Sequence, residues 1–213
     1  MSALQTLEKP RADRPPPHGP AAGEGPGRGP GDGAPALQPA RVATWLLVGV
    51  VTILFASFSS TYLARRTLAD WRPVAMPPIL WVNTAMLLAS SAALEVARRA
   101  APRGRKAAAR RATAVAALLG AGFLVGQVMA WRALVAAGVY LATSPHSDFF
   151  YLLTGAHGLH LAGGLVALGY AWWRAGRVAV PTTAQAATLT TVAVYWHFVD
   201  VLWLYLLVIL FWT

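Results

Sequence analysis

From residue 42 onward the chain alternates between long apolar runs and short polar turns. The runs cover about 42–63, 79–97, 112–136, 149–173 and 187–212. Each is long enough to cross about 30 Å of hydrocarbon as a helix rising about 1.5 Å per residue. The pattern predicts an all-α integral membrane protein, a bundle of five transmembrane helices over residues 41–213. Pro77 and Pro78 stand just before the second run, where proline suits a helix start. The third run is expected to continue as helix beyond the membrane through Tyr140. Residues 1–40 follow another rule, because sixteen of them are Pro or Gly. Such a segment buries too little apolar surface to offset its ordering entropy, so a disordered tail is expected there. It has no apolar core of a secretory signal, so no removal is expected. A tether or partner-binding arm is its functional alternative.

Charge fixes the orientation. Only 12% of residues are charged, against about 25% in a soluble domain. The net charge of +10 would suit a nucleic-acid binder, but no aromatic and basic residues interleave on a polar surface. Nucleic acid is therefore not an expected partner. Fourteen of the eighteen Lys and Arg fall within residues 1–41, 98–111 and 174–177. Across the membrane stand Arg65, Arg66 and Arg72. The positive-inside bias places the N-terminus in the cytoplasm and the C-terminus outside, in a bacterial-type plasma membrane. Trp45, Trp81, Trp131, Trp172, Trp173 and Trp212 fall near span ends, as an aromatic belt requires. The basic second loop reads as a topology determinant, with attraction of anionic lipid as the alternative.

Ionisable groups inside a membrane are costly unless paired, so each asks for a reason. Glu95 lies in the second span, Gln127 and Arg132 in the third, His157 and His160 in the fourth, His197 and Asp200 in the fifth. Counting along the helices puts His157, His160, His197 and Asp200 roughly 12 to 22 Å below the outer edge. Gln127 reaches a comparable depth, so these five share one layer near the midplane. Glu95 lies about one turn from the cytoplasmic end of its helix, and Arg132 is placed to snorkel to the outer interface. His157 and His160 are i, i+3, as are His197 and Asp200, so each pair shares a helix face. Three readings stay open: a hydrogen-bonded network locking helices together, a proton relay, or a divalent metal site. A single Asp among the ligands argues against the metal. Gly122 and Gly126, with Gly155, Gly158, Gly163 and Gly164, read as small surfaces for close helix packing.

The chain offers no self-contained active site. Cysteine is absent, which removes disulfides, thiolate metal sites and cysteine nucleophiles. No serine sits in a nucleophile setting, and no glycine-rich phosphate loop precedes a soluble helix. No catalytic, cofactor-binding or metal-ligating residue is assigned.

Two stretches carry a resemblance. FFYLLTGAHGLH (149–160) and YWHFVDVLWL (195–204) are similar to the signatures of subunit III of haem-copper oxidases, the cytochrome c oxidase subunit III family. PPILWVNTAMLLASS (77–91), GFLVGQVMAWRAL (122–134) and FASFSSTY (55–62) resemble that family in the same order. The resemblance spans about residues 42–213 and corresponds to a short form with five helices instead of seven. It implies an accessory subunit without redox centres, packed against a catalytic subunit I with subunit II in the same complex. Haem and copper would then belong to the partner subunits, with membrane phospholipid as a possible ligand of this chain. It further implies support of proton uptake and a border on an oxygen access route. His157, His160, His197 and Asp200 carry over as the family's polar layer, structural or proton-tuning. Many relatives have a carboxylate four residues before the phenylalanine matching Phe55, where this chain has Val51. Two alternatives remain: a subunit III-like protein of a nitric oxide reductase system, and a small membrane transporter.

Overall fold

A computed structural model describes residues 39–67, 71, 74–141, 143–177 and 182–212. The proline- and glycine-rich segment 1–38 and Arg72 lie outside the described residues. The described chain forms five long helices: α1 (Pro39–Arg65), α2 (Ile79–Ala100), α3 (Lys106–Ala136), α4 (Pro145–Ala175) and α5 (Thr182–Phe211). All five are long and apolar enough to cross a membrane.

Local chemistry sets the helix ends. α2 starts directly after Pro78, as the sequence predicts. A short 3₁₀ turn over Ala101–Arg103 then reverses the chain into α3, closing on Gly104 at φ 71°. There the Gly104 N–H donates to Ala101 O at 3.1 Å and the Arg105 N–H to Ala100 O at 3.2 Å. α3 does not continue through Tyr140. It stops at Ala136 because Gly138 adopts φ 78°, and the Val139 N–H folds back onto Leu134 O at 2.9 Å. The Gly138 N–H likewise bonds Val135 O at 3.0 Å, so the two back-bonds satisfy carbonyls that the helix leaves open, and glycine takes the left-handed position without a Cβ penalty. α4 begins at a capping box: Ser144 Oγ accepts from the Ser147 N–H at 3.2 Å, and Ser147 Oγ accepts from the Ser144 N–H at 3.0 Å. Pro145 follows at the first helical position, where its missing N–H costs nothing.

α2, α3, α4 and α5 form a closed group in which α2 packs on α3, α3 on α4, α4 on α5 and α5 back on α2. α1 stands apart and packs mainly against α5 and α4. It buries only Val51, Phe55, Ser59 and Tyr62, one narrow stripe at helical spacing. α5 is the most enclosed element, and its Trp196 and Trp203 are the largest fully buried side chains. Trp196 occupies the space left by two glycines on facing helices. A Cβ on Gly120 of α3 would come within 2.6 Å of the Trp196 ring, and one on Gly164 of α4 within 3.1 Å.

Candidate functional site

The polar residues predicted for the midplane are all present inside the bundle, but they contact different helices. His157 of α4 is fully buried against aromatic rings, 5.6 Å from Phe123 of α3 and 5.0 Å from Trp203 of α5 between ring centres. Neither ring nitrogen has a hydrogen-bond partner among the described residues. His160 turns instead toward α1, with its ring 5.7 Å from Phe55. Its Nδ1 donates to the carbonyl of Ala156 at 2.7 Å, within its own helix. The carbonyl of His160 accepts from Tyr195 Oη at 3.1 Å, which joins α4 to α5 through backbone and not through imidazole.

His197 and Asp200 face the other way, onto α2. His197 Nδ1 and Ser91 Oγ share a hydrogen bond of 2.5 Å. Asp200 lies on the same side near Ser91, and neither of its carboxylate oxygens has a hydrogen-bond partner among the described residues. Gln127 of α3 is buried with both amide atoms unpaired among the described residues. No hydrogen bond among the described residues joins His157, His160, His197, Asp200 or Gln127 to another of the five. Of the residues expected at one depth, His157 contacts α3 and α5, His160 contacts α1, and His197 bonds α2. Nor does any group of three or more His, Asp and Glu among the described residues stand close enough to hold a metal ion.

Glu95 sits near the end of α2 as the sequence placed it. Its carboxylate accepts from Arg98 Nε and Nη2 and from Arg99 Nε, each at 2.7 Å, so the charge is neutralised within one helix turn. Arg132 is exposed on α3.

The glycines separate into two kinds. A side chain on Gly122 or Gly126 would overlap Met86 or Asn83 of α2, so these two set the close approach of α2 and α3. Gly164 does the same for α4 and α5 through Trp196 and Tyr195. Gly155 and Gly158 meet only ordinary van der Waals neighbours, and Gly163 faces open space. The thin face expected along the whole fourth helix therefore reduces, within the bundle, to Gly164.

Several residues that connect the helices escaped the sequence reading. Trp203 Nε1 donates to Thr84 Oγ1 at 3.0 Å, Trp131 Nε1 to Thr154 Oγ1 at 3.0 Å, and Ser90 Oγ to the Ala116 carbonyl at 2.8 Å. His146, at the start of α4, accepts from the Val74 N–H at 3.1 Å and packs on Tyr62 and Trp71. Trp196 and Trp203 did carry a signal: both fall in mid-span, away from the belt positions of most other tryptophans.

The family described as cytochrome c oxidase subunit III matches residues 43–213, which takes in α2 to α5 and all of α1 but its first four residues. This chain belongs to that family. The probable cytochrome c oxidase subunit 3 of Mycobacterium tuberculosis is 33% identical over 175 residues, covering 80% of this chain and 86% of that protein. Cytochrome c oxidase subunit 3 of Bacillus sp. (strain PS3) is 30% identical over 171 residues, covering 78% and 82%. The cytochrome bo(3) ubiquinol oxidase subunit 3 of Pseudomonas aeruginosa is 32% identical over 169 residues, covering 75% and 78%. As a subunit III, the chain is an accessory component of a haem-copper oxidase, and the oxidoreductase activity belongs to the complex. Within this subunit III, α1 carries Val51 one helical turn before Phe55. Val51 is fully buried on the same stripe as Phe55, so the α1 surface near His160 is apolar.

Proposed function

We propose that this subunit III docks on the catalytic subunit I of a respiratory terminal oxidase, with subunit II in the same complex. In this reading the complex reduces oxygen and pumps protons, and this chain stabilises subunit I and supports proton uptake and oxygen access. The haems and copper belong to the partner subunits, and the chain lies in the plasma membrane with its N-terminus in the cytoplasm. The observation that carries the proposal is the continuous family match across all five helices. The dispersal of the buried polar residues over several helix contacts supports a stabilising role over a catalytic one.

The experiment is purification in mild detergent through a C-terminal tag, followed by an optical spectrum and mass spectrometry of the co-eluting chains. Haem absorbance together with a large histidine-rich subunit supports the proposal, and the haem signature reports whether oxygen or nitric oxide is the substrate. Recovery of a colourless chain without partners would overturn it.

A further inference from the structure

Where α3 begins and α4 ends, Arg110 and Arg111 flank a recess of about 300 Å³ completed by Ala107, Ala114 and Trp172. Arg110 does not wander there. Its guanidinium carbon lies 4.6 Å from the centre of the Trp172 ring, and the end of α4 approaches it at Gly176. Stacking on an indole holds a guanidinium in place and leaves its N–H edge free to donate.

Among the described residues no acidic side chain pairs with Arg110 or Arg111. The acidic residues among the described ones are Glu95, Asp148 and Asp200. Glu95 is committed to Arg98 and Arg99, Asp148 lies in the first turn of α4 at the opposite end of the bundle, and Asp200 is buried beside Ser91. The setting adds to the positive charge. α3 opens KAAARR with no acid in its first turn, so Lys106 adds a further cation at the positive end of the helix dipole, one turn before the pair. Both features are offset by an anion at the recess.

The shape selects the kind of anion. Below Arg111, on the same side of α3, come Val115 and Leu118, 47% and 72% exposed, so an apolar track runs from the guanidiniums toward the membrane centre. A ligand with a phosphate head and hydrocarbon tails matches head to arginine and tail to track, as basic pockets between membrane helices do. We propose that this recess binds the headgroup of an anionic phospholipid, its phosphate held by Arg110 and Arg111 and its acyl chains lying along Val115 and Leu118.

The test begins with lipids retained by the detergent-washed oxidase complex, quantified by mass spectrometry. The Arg110→Gln/Arg111→Gln variant should lose about one anionic phospholipid per complex and keep its zwitterionic lipids. Arg103→Gln/Arg105→Gln, with the same charge removed outside the recess, should keep the full complement. An unchanged lipid content in the first variant, or an equal loss in both, overturns the proposal. A second measurement needs no variant: a photoreactive phosphatidylglycerol added to the wild-type complex should label the segment 107–118. Unlabelled phosphatidylglycerol should suppress that labelling, whereas phosphatidylcholine should not. Labelling elsewhere only, or suppression by millimolar inorganic phosphate alone, overturns the lipid assignment.

Discussion

Among single residues, Trp196 and the glycines facing it decide how closely α3, α4 and α5 approach. Gly120→Ala puts a methyl group into a rigid, fully buried indole, so overpacking should cost about 1–3 kcal/mol. Gly163→Ala meets nothing and should stay within about 0.5 kcal/mol. Thermal unfolding of the purified complex separates the two, and equal midpoints would show that Trp196 can move aside. His157 is the complementary case. It makes ring contacts and no hydrogen bond among the described residues, so His157→Phe should preserve its aromatic slot at a cost below about 1.5 kcal/mol. Normal stability with slowed proton uptake in that variant would mark the imidazole as functional beyond its packing. Sequence spacing put both fourth-helix histidines on one face, and their different surroundings have a simple cause. Residues three apart on a helix differ by about 60° in direction, which in a crowded bundle is enough to reach different neighbours.

For whole elements, helix ends and helix pairings obey different rules. The ends are local. Ser144→Ala removes one half of the α4 capping box and should cost about 1 kcal/mol, read as faster amide exchange confined to the first turn of α4. Pairings depend on facing side chains, and α2 with α5 illustrates this. The Ser91–His197 hydrogen bond ties these helices near one level, and the Trp203–Thr84 bond ties them about two turns away. Ser91→Ala should weaken the pair by about 0.5–1.5 kcal/mol. That loss should be seen in the complex's melting temperature, with the α4–α5 contact through Tyr195 and His160 unaffected. Pro78, Gly104, Gly138 and Ser144 were all available in the sequence as helix signals. Ser91 was not, because a lone serine in an apolar run carries no period and no motif.

Across the whole molecule, α1 is attached more lightly than the other four helices. Phe55→Ala removes a fully buried ring from the middle of its stripe and should cost about 3–5 kcal/mol. Hydrogen exchange should then accelerate in α1 while α2 and α3 keep their protection; uniform acceleration would show that α1 belongs to the same cooperative unit. The absence of native cysteine makes the proposed orientation directly measurable. Tyr140→Cys should react with a membrane-impermeant maleimide in intact cells, and Arg105→Cys only after permeabilisation. The reverse pattern would invert the positive-inside assignment.

The sequence by itself determined the number and rough extent of the five spans and the family. These follow from local quantities: the length of an apolar run, the conformations open to glycine and proline, and motifs contiguous along the chain. It put Glu95 about one turn from the end of its helix, while its pairing with Arg98 and Arg99 is read from the structure. Only the tertiary structure decided the partners of His157, His160, His197 and Asp200, the role of Trp196, and which glycines are in close contact. Those depend on the rotation of each helix about its own axis. In a chain apolar on nearly every face, packing sets that rotation, and hydrophobic periodicity does not.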